Sequence, residues 1–400
     1  MYYKTNTDKI KEGLFKFGYV ANWRDEVYIK ELEELVDETV VDLTAQDIKE
    51  RAENAEILYL NWNGYQVDGN GVDVKEEDAY FKAFDSGYTT PSGEPIYGWF
   101  EKNKEKGTFS GVTWGTLKVL RAYRFLRSKP HMGDIYFDNK DAFEDFLEDI
   151  ASHTIPESWD FNKKQSGIIH PILVSYLNNI YLKLKRENKI IRSEDGKYIM
   201  FNTNLLDIFS QALYIIAEVK VVEGLEIYVY PKRTSEESYK TQGKYGFGGK
   251  DPEAPVFFDD INEVVFNTGW QIDKEFDSLS HIIEKRIYRF PVYWQTKSKD
   301  VLARKLKNAI DFAVAIAKRN YKYIVPIYYP KIDSISFLMP IYLDGEYTES
   351  PDFALVLQTD RENKLYIAKT ILDLEEGYKD ARLIAKPDES WFNLARLVKK

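Results

Sequence analysis

The sequence predicts an α+β fold, with mixed helices and a mainly antiparallel C-terminal sheet. Three observations predict it. Helix-period apolar stripes and strand-like apolar runs follow one another without regular strand–helix alternation, which argues against a doubly wound α/β fold. The region after residue 320 holds four short strand-like runs in succession. Apolar residues make up 44% of the 400-residue chain and charged residues 30%, which suffices for a packed core. Two regions are expected: an N-terminal α/β region over 1–164 with a long irregular insertion, and a C-terminal α+β domain over 165–400.

The elements follow in chain order. Glu26–Val36 has Val27, Ile29, Leu32 and Leu35 at helical spacing. Thr44 caps a second helix over Ala45–Ala55, which runs into a strand at Ile57–Leu60. Residues 63–112 are rich in Gly, Asp, Asn and Ser and read as an irregular insertion. Trp114–Arg127 and Lys140–Ala151 read as helices, the first with Leu117, Leu120, Tyr123 and Leu126 on one face. His170 and Pro171 open a long helix, because proline costs nothing in a first helical turn; Ile172, Leu173, Tyr176, Leu177, Ile180, Tyr181 and Leu184 form its stripe. Asp195 and Gly196 turn the chain into a strand at Tyr198–Phe201, and residues 231–255 read as a loop. The clearest helix is 301–319, with Leu302, Leu306, Ala309, Ile310, Ala313, Ile316 and Ala317 inward. Strands are expected at Tyr323–Tyr329, Ser334–Leu343, Phe353–Gln358 and Lys364–Ile371, with a turn at Asp360–Asn363. Helices near Leu374–Leu383 and Trp391–Leu397 close the chain.

Several chemistries are excluded by composition. Cysteine is absent, which removes disulfides, thiolate nucleophiles and zinc ribbons. The four histidines, His131, His153, His170 and His281, stand at no metal-ligand spacing, so no metal site is expected. No apolar stretch has the length of a membrane span, and no apolar run follows the first lysine, so neither a membrane segment nor a signal peptide is expected and the reading is cytoplasmic. Gly246, Phe247, Gly248, Gly249 and Lys250 fail the phosphate-loop spacing. There is no serine-hydrolase elbow and no dinucleotide fingerprint, so the sequence names no cofactor.

The net charge of −10 hides a pattern. Residues 25–56 carry twelve acids against three bases, and 134–160 carry nine acids against Lys140. Residues 281–331 reverse this, with eight Lys and four Arg against Glu284, Asp300 and Asp311. Aromatics interleave with the bases there: Tyr288, Tyr293, Trp294, Tyr321, Tyr323, Tyr328 and Tyr329. Phosphate-binding charge beside stacking planes is what single-stranded nucleic acid requires. A docking face for acidic segments of this or another protein is the competing reading. His281 heads the block, and an imidazole beside guanidinium groups suits proton transfer near a phosphate, although a hydrogen-bonded structural role fits as well.

The second half resembles a known family. Phe201, Asn202 and Thr203 follow a strand; His281 leads to Arg289, Phe290 and Pro291; Asn320, Tyr321 and Lys322 precede Val325, Pro326, Tyr328 and Tyr329. Then come Phe337–Pro340, Phe353–Val356, Ala368–Leu372 and Gly377–Ile384. In this order and spacing, residues of roughly 165–395 resemble the uncharacterised bacterial and fungal family known as domain of unknown function 3825. Asn204, Gly377, Lys379 and Asp380 depart from its pattern, though Asn204 can still adopt a left-handed turn. The resemblance implies no activity. It does imply a link to RNA, because relatives are joined to LOTUS-type modules implicated in RNA binding.

The expected function is therefore an RNA-associated or nucleotide-binding protein that uses the basic segment 281–331, with possible processing of its ligand. The alternative is a non-catalytic subunit of a defence or toxin–antitoxin-type complex, docking partners through the acidic N-terminal segments. The candidate phosphate ligands are Arg286, Arg289, Arg304, Lys305, Lys369, Thr370 and Arg382, because guanidinium forks and ammonium groups match phosphate oxygens. The candidate base or ribose contacts are Asn202, Thr203, Tyr328 and Tyr378, and the candidate catalytic residue is His281.

Overall fold

The computed structural model describes residues 45–90, 92–103, 107–126, 129–161, 167, 169–235, 243–273, 276–329, 333–344 and 350–387, with 14–15, 18–19, 28, 31–32 and 35–36 before them. The expected helix near Trp391–Leu397 lies outside the described residues. Of the helix expected over 26–36, Tyr28, Glu31 and Leu32 are described and helical. Packing divides the chain into two compact units, one of Met1–Lys129 with Lys220–Ile227, the other of Pro130–Val219 with Tyr228–Lys400. The 164/165 boundary read from the sequence falls within the second.

The first unit is built on a six-stranded sheet. Its strands are β1 (Leu14–Phe15), β2 (Gly18–Tyr19), β3 (Ile57–Leu60), β4 (Phe81–Thr89), β5 (Pro95–Lys102) and β6 (Phe109–Gly115), in the order β1-β2-β6-β5-β4-β3. All pairs are antiparallel except β2 with β6. Its helices include α1 (Ala45–Asn54), which buries Ile48 and Ala52, and α2 (Leu117–Leu126). This corrects the irregular insertion expected over 63–112, which contains β4, β5 and most of β6. Turn residues between these strands dilute the alternation that would announce them, yet Phe81, Phe84, Ile96, Trp99 and Phe100 are fully buried. Trp114, expected in a helix, lies in β6 instead, edge-on to Phe84 at 5.7 Å.

The second unit holds two sheets, apart from residues 220–227 of β11 and β12, with one large apolar core and a smaller cluster of Met200, Tyr214, Ile216 and Phe247. The first sheet joins β7 (His131–Met132), β8 (Ile135–Tyr136), β9 (Ile191–Arg192), β10 (Tyr198–Leu206), β11 (Ala212–Val222) and β12 (Leu225–Ser235) in the order β7-β8-β12-β11-β10-β9. The second joins β13 (Gln271–Asp273), β14 (Val325–Tyr329), β15 (Ser334–Ile341), β16 (Phe353–Asp360) and β17 (Leu365–Leu372) in the order β13-β17-β16-β15-β14. This is the expected C-terminal sheet, antiparallel except for β13 beside β17. Its inner strand β15, between β16 and β14, is buried from Ile335 to Ile341, so both of its faces are covered and its sequence runs almost uninterruptedly apolar.

Helices α3 (Lys140–His153) and α4 (Pro171–Arg186) follow their periodicity, and all seven stripe residues of α4 are buried. His170 sits at φ 51 just before Pro171; its ring nitrogens lie 2.8 Å from Asp160 and 2.9 Å from Glu148. The remaining helices among the described residues are α5 (Phe276–Arg286), α6 (Val292–Gln295), α7 (Lys299–Ala317) and α8 (Leu374–Arg382). On α7, Leu302, Leu306, Ile310, Ala313 and Ala317 are buried. Each fully buried aliphatic side chain contributes about 1.5–3 kcal/mol.

Gly98 shows how tightly the first unit is filled. A Cβ there would meet Trp114 Cζ3 at 2.5 Å and Phe84 Cε1 at 2.6 Å. Gly98→Ala should therefore lower stability by about 1–3 kcal/mol through overpacking. Gly69→Ala, with nothing within 4 Å, should stay within about 0.5 kcal/mol. Thermal unfolding followed by near-UV circular dichroism checks both.

Candidate nucleic-acid interface

The basic segment begins on α5, where Leu279, Ile282 and Ile283 are buried. The helix ends at Arg286. A 3-10 turn over Ile287–Arg289 follows, Phe290 enters the core, and Pro291 precedes the single turn of α6. This zigzag buries Phe290 and Trp294 and turns the residues between them outward. Tyr288 and Tyr293 are each 62% exposed and Val292 is 79% exposed. Lys297 Nζ lies 4.0 Å from the Tyr293 ring centroid. Lys305, on α7, lies 5.3 Å from the Trp294 ring, whose Nε1 donates to Asp344 at 3.0 Å. Exposed ring faces beside ammonium groups form a stacking platform with its own counter-charge.

Four of the predicted phosphate ligands come together around β17. The pairing of β17 with β16 shifts register by one residue. Ala368 opposes Leu357 and Thr370 opposes Val356, which leaves Lys369 in a bulge with its side chain exposed. Arg286 Nε donates to Thr370 Oγ1 at 3.2 Å. Arg289 donates to the Ile371 carbonyl at 2.6 Å and pairs with Glu376 at 3.0 Å. Tyr329 is half-buried beside them. Its phenol is pushed up first by burial and then by Asp380, while the Arg286 and Arg289 guanidiniums oppose the shift. Arg289 is thus partly neutralised by its carboxylate, and Lys369 is the member most open to an incoming phosphate.

The other predicted residues lie elsewhere. His281 is on α5, and its side chain lies outside the described residues. Arg304 is exposed on α7. Asn202 and Thr203 do not follow a strand but sit inside β10, where the pairing with β11 becomes irregular. Asn202 accepts from the Asn204 N–H at 2.8 Å and donates to the Pro252 carbonyl at 3.2 Å. Thr203 donates to the Leu213 carbonyl at 2.7 Å. Both are buried, so their polar groups serve the backbone rather than a base. Tyr328 and Tyr378 are each 1% exposed and offer no ring face to a base. The Tyr328 hydroxyl bridges Asp333 and Arg186, and burial followed by Asp333 raises its pKa well above the tyrosine range.

Arg382, a candidate phosphate ligand by its chemistry, is already paired within the fold. Its guanidinium makes a bidentate pair with Glu157 at 2.6 and 2.9 Å and lies 5.0 Å from the Trp159 ring and 4.8 Å from the Tyr176 ring. Tyr176 donates to the Asn204 carbonyl at 3.1 Å. Burial pushes the Tyr176 phenol up to about 12, with Arg382 opposing. Tyr378 is also pushed up to about 12, by burial first and Glu157 second.

One feature of the unit escaped the sequence reading. A cleft of about 450 Å³ is lined by Phe266, Asn267, Trp270, Thr359, Arg361 and Tyr366 among others. Phe266 stacks on Tyr366 at 4.5 Å, and Trp270 lies 5.3 Å from the same ring. The one signal that could have found it is the likeness of Phe266, Asn267 and Thr268 to Phe201, Asn202 and Thr203. In both, the Asn side chain accepts the N–H two residues on, from Gly269 in one case and Asn204 in the other. Among the described residues there is no cluster of three or more His, Asp or Glu that could hold a metal, and no helix is long and apolar enough to cross a membrane.

The Arg382–Glu157 pair generates two predictions. Glu157→Ala leaves a buried guanidinium without its counter-charge and should cost about 3–5 kcal/mol in thermal unfolding. Tyr176 and Tyr378 stay neutral in the fold up to about 12, whereas the unfolded chain ionises near 10.0. Their contribution to stability is whole below the unfolded value and is lost as pH climbs from 10 toward 12. Tyrosinate absorbance should show Tyr176, Tyr378 and Tyr328 among the tyrosines that ionise well above pH 10 for as long as the chain stays folded; their free titration near pH 10 in the folded chain would contradict the burial.

A model of the family described as Domain of unknown function (DUF3825) matches residues 150–391, more than half of the chain. No curated protein and no solved structure matches.

Proposed function

The chain belongs to the DUF3825 family, and from its own geometry we propose that it binds single-stranded RNA through the surface formed by α5, α6 and the start of α7. The observation that carries this reading is the exposed pair Tyr288 and Tyr293 with Lys297 4.0 Å from a ring. Exposed aromatic rings cost hydration free energy, and a protein that keeps two of them beside cations gains a surface on which bases stack regardless of sequence. Lys305, Lys369 and Arg286 add positive charge on neighbouring elements. The joining of family members to LOTUS-type modules would agree with an RNA partner.

The salt dependence follows from the number of cations. Four neutralised phosphates give a loss of about 50-fold in affinity between about 50 and 200 mM salt on a single strand. Fluorescence anisotropy with a labelled 12-nucleotide RNA should show this slope. Tyr288→Ala and Tyr293→Ala should each cost about 1–3 kcal/mol of binding with the slope unchanged. Lys297→Ala and Lys369→Ala should each flatten the slope by about 0.7. An absent or salt-independent interaction would sink the proposal.

A further inference from the structure

We propose a second ligand site in the C-terminal unit: the cleft between segment 261–270 and the ends of β16 and β17 takes the base of a 5′-nucleotide, with its phosphate directed toward Lys322 and Lys386. The site shares none of its lining residues with the Tyr288–Tyr293 surface, so it goes beyond the RNA reading.

The size and walls are the first part of the argument. A volume of about 450 Å³ lies within the usual range for small-molecule sites. One wall is aromatic, made of Trp270 and Phe266 around the buried ring of Tyr366. Trp270 is half-buried, so part of its indole remains open to a planar ligand. Stacking of a base on such a face is worth about 1–3 kcal/mol.

Polar groups are the second part. Thr359 lines the cleft, and its hydroxyl is buried with no hydrogen-bond partner among the described residues. A buried hydroxyl left unpaired costs about 1–3 kcal/mol, which a ligand that engages it returns. Arg361 and Glu263 pair at 3.2 Å on the same wall, with Arg361 half exposed. Together they present donor and acceptor edges of the kind that a heterocycle carries on its own rim.

Charge gives the third part. A smaller cleft of about 200 Å³ adjoins the first, and Val265 lines both. Its rim carries Tyr321, Lys322 and Lys386, with both ammonium-bearing side chains exposed. A stacked base in the larger cleft and an anionic group at the rim of the smaller one describe a nucleotide better than a neutral aromatic compound. The arrangement was invisible in the sequence because β13 pairs in parallel with β17, which carries segment 261–270 against residues about ninety positions downstream.

Isothermal titration of the full chain with AMP, GMP, CMP, UMP, adenosine, guanosine and inorganic phosphate tests the proposal. At least one nucleotide should bind saturably with one-to-one stoichiometry, and its nucleoside more weakly. Trp270→Ala and the isosteric Thr359→Val should each weaken it about tenfold, or about 1.4 kcal/mol. The exposed-site double variant Lys322→Ala with Lys386→Ala should abolish the difference between nucleotide and nucleoside. Tyr288→Ala should leave nucleotide binding unchanged while weakening RNA, so either reading can fail without the other. Binding by none of the nucleotides up to about 5 mM would overturn the proposal. So would binding indifferent to Thr359→Val and to the lysine pair in variants with wild-type circular dichroism, or binding lost with Tyr288→Ala.

Discussion

The C-terminal unit turns on one buried guanidinium. Arg382 sits between the Trp159 and Tyr176 rings and makes both of its fork contacts to Glu157, whose side chain is 8% exposed. Taking these charges out of water is costly, and only bidentate geometry and the surrounding rings make the arrangement tolerable. What the pair secures is position. It fastens α8 to a segment 225 residues earlier, while Tyr176 reaches from α4 to the Asn204 carbonyl in β10. Asn204 itself sits at φ 57, a left-handed turn that asparagine tolerates better than most residues. Helix α8 in turn holds Glu376 against Arg289 and Asp380 beside Tyr329. The polar surroundings of β17 therefore rest on a contact that is itself sealed from solvent.

The basic segment is divided by the same logic. Its formal surplus is not uniformly available at the surface. Arg289 is paired with Glu376, Lys299 with Glu284, and Lys305 lies over Trp294. Tyrosines divide likewise. Tyr328 is locked between Asp333 and Arg186, with Lys183 5.4 Å from its ring, while Tyr288 and Tyr293 face water. A sequence shows that charges and rings are interleaved. Which of them face outward is set by the packing of α5, α6 and α7.

Much of the fold could be read from periodicity, because apolar burial dictates it directly. The α4 and α7 stripes and the four C-terminal strands are of this kind. The strands β4 to β6 are hard to read because Gly87, Gly98 and Gly111 interrupt the alternation that marks a half-buried strand. Arg286, Arg289, Lys369 and Thr370 are separate candidates in the sequence, and only the packing of α5 on the bulged β17 brings them together. Tyr328, Tyr378 and Arg382 are candidates by their chemistry alone, which suits a ligand as well as it suits packing. Their neighbours Asp333 and Glu157 are distant in sequence or hidden in a turn, and nothing in spacing announces such a partner. Trp270 and Arg361 were missed for the converse reason: each is unremarkable alone and gains meaning only through the parallel pairing of β13 with β17.

Strand β17 links the two proposed sites by a matter of parity. Tyr366 and Thr370 are four residues apart, a separation of about 13 Å along a strand, and regular alternation would place them on one face. The bulge at Lys369 breaks that parity. Tyr366 shares its face with Thr359, whereas Thr370 shares its face with Val356, on the opposite side of the sheet. The same strand can thus present an aromatic wall to the cleft on one side and a hydroxyl to Arg286 on the other, with Lys369 thrown outward between them. A flat, regular β17 would have to give up one of these contacts. The extra residue is therefore the structural reason that a cleft and a basic edge coexist within one short strand.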